Sequence, residues 1–125
     1  MKVESVCGVI FTTERLNEMV AFYKEILGLA LEPEEHGELD RHYGVNLGNL
    51  HFAIHPLSSF DEAKTGNSSA KIAFQVDSLS EYVARLEANG YKCEREPHDE
   101  GFGPVASLRD PDGNLIELVE LSFDF

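Results

Sequence analysis

Basic residues, cysteines and long apolar runs are all scarce in this sequence. Ten lysines and arginines stand against 23 aspartates and glutamates, which gives 125 residues a net charge of −13. Such a surface repels phosphate backbones and anionic lipids, so we expect no nucleic-acid or membrane partner; the excess either favours cationic ligands or serves solubility alone. No apolar stretch approaches the roughly 18 residues of a membrane span, and the first residues lack a signal-peptide pattern. We therefore expect a cytoplasmic protein.

Two kinds of reactive group are also missing. The two cysteines, Cys7 and Cys93, show no metal-binding spacing and fall in predicted strands, where a lone thiol usually packs as a small hydrophobe. The chain has no glycine-rich phosphate loop, and no serine stands on a strained turn as a nucleophile. These absences argue against phosphate-loop and serine-hydrolase chemistry.

Two segments carry the apolar spacing of amphipathic helices. Thr13 to Gly28 has apolar residues at i, i+3, i+4 and i+7, with Thr12 or Thr13 as its cap and Gly28 as its stop. Asp77 to Gly90 repeats this pattern 63 positions later, with Asp77 or Ser78 as the cap. The repetition predicts that the chain contains two copies of one module.

The predicted strands extend the repeat into two βαβββ modules. They are listed here in chain order: Val9–Phe11, Leu29–Glu32, Tyr43–Leu47 and Leu50–His55, then Ile72–Phe74, Tyr91–Glu96, Pro104–Arg109 and Asn114–Leu121. We predict an α+β fold in which each module is a curved four-stranded mixed sheet with one helix, the two forming an open cleft. The single domain divides into module one (1–56), a linker (57–69) and module two (70–121).

The second strand of each module is predicted to end at a proline, Pro33 or Pro97. An acidic loop that contains histidine follows each proline. We expect His36, His42 and His98 to lie in these loops and to be solvated, although each could reach a cleft if its loop folds over.

Glu117 stands in the middle of the last predicted strand. The strand follows a tight turn at Asp110–Gly113, in which proline presets φ and glycine ends the turn. A carboxylate on a half-buried strand costs several kcal/mol unless it is paired, protonated or bound to a metal. Glu117 is therefore the first candidate for a functional residue.

Three stretches resemble one known family: Phe22–Leu29, Ala73–Gly90 and Leu108–Leu121. Together with the repeat they are similar to the glyoxalase I / bleomycin-resistance / extradiol dioxygenase superfamily, the vicinal oxygen chelate proteins. The resemblance implies a small-molecule site in a cleft. It leaves the activity open, because the superfamily includes isomerases, dioxygenases, epimerases, thiol transferases and drug binders without enzymatic activity.

The resemblance also implies four metal-ligand positions, one on the first and one on the last strand of each module. Glu117 matches the last of these positions, while Gly8 and Lys71 stand at the two first-strand positions. The remaining position is His51 by apolar alignment, or Phe52 by counting from the turn. Because an open metal site needs about three protein ligands, the usual site fits poorly.

Three hypotheses of function stay open at this point. The first is a metal-free binder of a small molecule, in which Lys71 pairs with Glu117 as an ammonium in place of the metal. Its site would be lined by the following candidate residues: Tyr43, His51, Lys71, Phe74, Phe102 and Glu117.

The third hypothesis is a small interaction module whose cleft is vestigial; the second is an enzyme, as follows.

The second hypothesis is a lyase, isomerase or dioxygenase with an atypical metal site. Zn, Ni, Fe or Mn would be held by His51 and Glu117, with Glu117 as ligand or catalytic base. A further ligand would come from one other histidine: His42, His55 or His98.

We expect a homodimer, because the resemblance implies pairing of modules across a two-fold axis. Phe123 and Phe125 at the C-terminus would pack on the partner, or fray.

Overall fold

The chain forms two units, each built on its own four-stranded sheet. The computed structural model describes residues 1–2, 4, 6–35, 41–57, 72–99 and 103–122, and the units are Met1–Thr65 and Gly66–Phe125. Each unit has a mixed sheet and a helix, which confirms the α+β fold of tandem modules. Within the described residues, neither helix is long and apolar enough to cross a membrane.

The first unit contains β1, a helix and β2–β4. Its elements are β1 (Gly8–Thr13), α1 (Leu16–Val20) with a π-helical continuation (Ala21–Ile26), β2 (Glu32–Glu35), β3 (Arg41–Leu47) and β4 (Leu50–Pro56). The strand order is β1-β4-β3-β2, with β1 parallel to β4 and the other pairs antiparallel.

The second unit repeats this topology. Its elements are β5 (Ile72–Gln75), α2 (Leu79–Ala88), β6 (Arg95–Asp99), β7 (Pro104–Arg109) and β8 (Leu115–Val119). The strand order is β5-β8-β7-β6, with β5 parallel to β8. The parallel pair in each unit joins the first and last strands of the module.

Aromatic packing attaches the first helix to its sheet. Tyr23 is fully buried, and its ring lies 5.8 Å from Phe11 and 5.3 Å from Phe52, centroid to centroid. The helix widens after Val20, because the amide of Leu27 donates to the carbonyl of Phe22, five residues earlier. The helix therefore covers the sheet face that carries Phe11 and Phe52.

The second helix is capped from two directions. Ser78 accepts a hydrogen bond from the amide of Glu81, and a carboxylate oxygen of Glu120 accepts one from the amide of Leu79 at 2.9 Å. Both acceptors satisfy amides that have no partner inside the helix. Of the two predicted caps, Ser78 is the observed one, and Gly90 follows the helix with a positive φ of 86°.

Both prolines lie inside strands, where the sequence had predicted strand ends. Pro33 is the second residue of β2, and Pro97 lies in a register shift of β6 between Arg95 and His98. β2 and β6 are edge strands, so one side of each needs no amide donors, and proline is tolerated there. The predicted strands Leu29–Glu32 and Tyr91–Glu96 are therefore placed too early.

The tight turn before β8 is stabilised by Asp110. The Asp110 carboxylate is buried, and one oxygen accepts hydrogen bonds from the amides of Asp112 and Asn114 at 2.9 Å. The other oxygen accepts from the Asn114 side chain at 2.8 Å. These bonds hold the predicted turn and direct the chain into β8.

Candidate functional site

The face of the first sheet opposite the helix carries most of the unit's polar strand side chains. Successive strand residues point to opposite faces, and Phe52 packs against the helix, so His51 and His55 lie on the other face. The pairing of β3 with β4, and of β2 with β3, puts further polar side chains on the same face. The polar cluster on this face consists of Glu34, His42, Asn46, His51 and His55.

Glu34 lies at the centre of the polar cluster. Its Oε1 atom is 3.1 Å from Nε2 of His51 and 3.4 Å from Nε2 of His42. On the other side of the His51 ring, Nδ1 lies 2.7 Å from Oδ1 of Asn46. One carboxylate oxygen thus contacts two imidazoles, and both nitrogens of His51 face oxygen atoms.

Gly44 makes room for the Glu34 carboxylate. A β-carbon at Gly44 would collide with Oε1 of Glu34 and would stand 2.7 Å from Nε2 of His51. Glycine allows this close approach, and a side chain at position 44 would displace the ends of the Glu34 and His51 side chains.

His42 and His55 form a buried stacked pair. Their rings lie 3.8 Å apart at 12° to each other, and the two residues are 2% and 7% exposed. The prediction of a solvated loop around His42 is wrong, because β3 begins at Arg41 and the strand buries the imidazole. His98 also lies in a strand, β6, where its Nδ1 atom is 3.0 Å from the carbonyl oxygen of Glu96. His36 lies outside the described residues.

The register of β4 distinguishes His51 from Phe52 as the implied metal-ligand position on the last strand of the first module. His51 pairs with Gly8 across the parallel β1–β4 pair, whereas Phe52 pairs with Val9 and is 1% exposed in the aromatic core. Of the two, His51 is the residue beside Gly8. Gly8 itself offers no side chain, and a β-carbon there would meet only the His51 carbonyl oxygen at 3.6 Å.

Glu117 lies half-buried near the centre of the second sheet. Its cross-strand neighbours are Ala73 on β5 and Ser107 on β7, and Arg95 pairs with Ser107 one strand further along. Lys71, the predicted ion-pair partner, lies outside the described residues. The Lys71–Glu117 pair therefore stays a prediction.

The two aromatic candidates that the structure describes do not join the polar residues of their own sheets. Tyr43 pairs with Ile54 and alternates with His42 and Gly44, which puts it on the face opposite His51. Phe74 pairs with Leu118 and lies opposite the face of Ala73 and Glu117. Phe102 lies outside the described residues.

The two thiols differ in exposure. Cys7 is exposed and Cys93 is half-buried, and both are free. Burial, together with the negative charges of Glu96 and Glu87, raises the pKa of the Cys93 thiol. Cys93 is thus the less reactive of the two.

The described residues do not fit the metal site that the resemblance implied. Among them, no group of three or more His, Cys, Asp or Glu side chains is arranged to hold a metal ion. Gly8 supplies no ligand, both ring nitrogens of His51 face oxygens, and the cross-strand neighbours of Glu117 are Ala73 and Ser107. We therefore derive no chemical step through a metal.

The fold, and the order of its strands and helices along the chain, agree with a known family. The family model described as the Glyoxalase/Bleomycin resistance protein/Dioxygenase superfamily matches residues 7–118. The chain belongs to this superfamily. The match extends from just before β1 to the penultimate residue of β8, so it covers both modules of the glyoxalase-type fold.

Relatives of the chain within the superfamily have different names. The uncharacterized protein YraH of Bacillus subtilis is 32% identical over 111 residues, covering 82% of this chain and 87% of YraH. A lactoylglutathione lyase of Salmonella typhimurium is 30% identical over 113 residues, 84% of each chain. The crystal structure of TnmS3, an antibiotic binding protein from Streptomyces sp. CB03234, shares the fold with a TM-score of 0.74 at 24% identity, covering 98% of this chain and 99% of TnmS3.

Sequence reasoning missed Glu34 and Gly44. Glu34 follows Pro33, where the sequence predicts that the strand ends and a loop begins. No local signal identifies this glutamate, because proline is tolerated at a sheet edge and edge position depends on the whole sheet. No local pattern identifies Gly44, because its role depends on the register between three strands.

Proposed function

We propose that the chain binds a small organic molecule and uses no metal at the family's usual ligand positions. The pairing of Gly8 with His51 carries this proposal, because the first ligand position has no side chain. An open catalytic metal site needs about three protein ligands. His51 is the proposed polar contact of the first sheet, and Glu117 that of the second.

One further observation supports binding of a small molecule, and a second favours a cation. TnmS3, which shares the fold, is described as an antibiotic binding protein. The net charge of −13 attracts cations and repels anions. We therefore propose a positively charged organic molecule as the first ligand class to test.

A metal-dependent lyase is the second candidate. It is favoured by the 30% identity to a lactoylglutathione lyase, and by Glu117, which matches the family's last ligand position. In that case Glu117 would serve as ligand or base, and Lys71 would have to leave room for the metal.

Metal content separates the two candidates. We expect tag-free protein dialysed against Ni²⁺, Zn²⁺, Mn²⁺ or Fe²⁺ to hold far less than one metal ion per chain by mass spectrometry, because Gly8 supplies no ligand. Glu117→Gln should leave this value unchanged. One metal per chain that is lost in Glu117→Gln would contradict the proposal and favour the lyase.

A thermal-shift screen tests the binding role. A ligand present at 100 times its Kd stabilises the folded chain by about 2.7 kcal/mol, which raises the Tm by several degrees. We expect cationic aromatic molecules to give such shifts and their neutral isosteres to give smaller ones. His51→Ala should reduce the shift, while Glu32→Ala, an exposed change in β2, should not. If no ligand class shifts the Tm, an interaction module without a ligand is favoured.

A further inference from the structure

The hydrogen-bond partners of His51 argue against a metal at this residue, in addition to the missing side chain at Gly8. His51 is 40% exposed at its side chain, so burial alone would not prevent it from binding a metal. Its two ring nitrogens nevertheless face Glu34 at 3.1 Å and Asn46 at 2.7 Å. The Glu34 carboxylate is an acceptor, so Nε2 of His51 is the donor in their hydrogen bond. A nitrogen that donates a proton has no lone pair for a metal.

We propose that Glu34, held over Gly44, takes the place of a metal ion as the partner of His51. This inference rests on the proposed metal-free function and names the residue that enforces it. Glu34 acts here as a positioning residue: it fixes the His51 ring and keeps Nε2 occupied. The family's metal orients the corresponding side chain by coordination, whereas here a carboxylate does so by accepting a hydrogen bond.

The surroundings of Glu34 favour this role over that of a metal ligand. Its Oε1 atom contacts both His51 and His42, so both imidazoles are directed at one oxygen atom. His42 is held in turn by stacking on His55 at 3.8 Å. The Glu34 carboxylate lies where a β-carbon at Gly44 would stand. A metal at Nε2 of His51 would have to displace Glu34 from that nitrogen.

Histidine ring spectra test the contact directly. Proton–nitrogen correlation spectra of protein with isotope-labelled histidine show which ring nitrogens carry protons, and His51→Ala identifies the His51 signals. We expect Glu34→Ala and Gly44→Ala to change the Nε2 signal of His51 in the same direction. Glu32→Ala is the matched control for the first variant, since Glu32 is an exposed glutamate on the same strand. Gly8→Ala is the control for the second, since its β-carbon makes only an ordinary contact.

A gain of metal binding tests the consequence. Gly8→His would set a second imidazole beside His51, because the two residues are direct partners on parallel strands. If Glu34 keeps His51 occupied, Gly8→His alone should bind Co²⁺ weakly. The double variant Gly8→His/Glu34→Ala should bind it more tightly, because Nε2 of His51 then has no carboxylate partner to leave before it coordinates the metal. Gly8→His/Glu32→Ala should behave like Gly8→His, and circular dichroism confirms that each variant is folded.

The outcomes distinguish this inference from the function on which it rests. Unchanged His51 signals in both Glu34→Ala and Gly44→Ala, or equal Co²⁺ affinities in the single and double variants, would overturn the role of Glu34 alone. A metal in the unmodified protein that Glu34→Ala removes would also overturn it, because Glu34 would then be a ligand. A metal that Glu117→Gln removes would overturn the proposed function instead.

Discussion

Gly44 shows how a single missing side chain organises the first sheet. The Glu34 carboxylate occupies the space that a β-carbon would take, and its Oε1 atom contacts both His51 and His42. None of these residues is adjacent in the chain. At the scale of residues, the chemistry of this face therefore depends on one close approach between neighbouring strands.

The thiols provide an independent residue-scale prediction. We expect Cys7 to react with a disulfide reagent at neutral pH at least about tenfold faster than Cys93, because burial and nearby carboxylates raise the pKa of Cys93 and the thiolate is the nucleophile. The rate at Cys93 should keep rising at alkaline pH, beyond the range in which an ordinary thiol titrates. Cys7→Ser and Cys93→Ser assign the two phases. Equal rates at neutral pH would show that Cys93 is not protected.

Adjacent residues on β4 should differ sharply in their effect on stability. Phe52→Ala removes a ring that is 1% exposed and packs on Phe11 and Tyr23, so we expect a loss of about 3–5 kcal/mol in the free energy of unfolding. His51→Ala, on the half-exposed face, should cost less than about 1 kcal/mol. Urea denaturation measures both. Similar losses would mean that the strand faces are assigned incorrectly.

At the scale of elements, the sequence predicted what depends on local spacing. The helix period and Ser78 located α2, which spans Leu79–Ala88, because side-chain spacing and capping are local properties. The edge strands were misplaced, because proline ends a central strand but is tolerated at an edge, and edge position is a property of the whole sheet.

The same reasoning explains what the sequence could say about the candidate site. Glu117 was singled out because a carboxylate among apolar strand residues is unusual in any context. Glu34 and Gly44 were not, since their significance comes from pairings between β2, β3 and β4. A buried histidine pair such as His42 and His55 has no sequence spacing that identifies it.

At the scale of the whole molecule, charge is the dominant property. The excess of 13 negative charges creates a long-range field that attracts cations before any contact forms. This field does not select a ligand by shape. It raises the encounter rate of every cation, so specificity has to come from the residues at the site.

Salt should therefore weaken binding of a cationic ligand. We expect the association rate of a cationic ligand from the thermal-shift screen to fall as ionic strength rises, because the Debye length shrinks from about 30 Å at 0.01 M to about 3 Å at 1 M. The rate for its neutral isostere should change little. Stopped-flow fluorescence measures both rates. Equal salt dependence of the two rates would indicate that the charge serves solubility alone.

The homodimer stays a prediction.

The prolines of the two edge strands also affect how the molecule behaves in a crowded solution. Pro33 in β2 and Pro97 in β6 each lack an amide donor, so a foreign strand that approached either edge would find its ladder interrupted. β1 and β5, at the opposite edges of the two sheets, contain no proline. Each sheet thus has one edge that discourages strand addition, and of its two edges the other is the more open to a foreign strand.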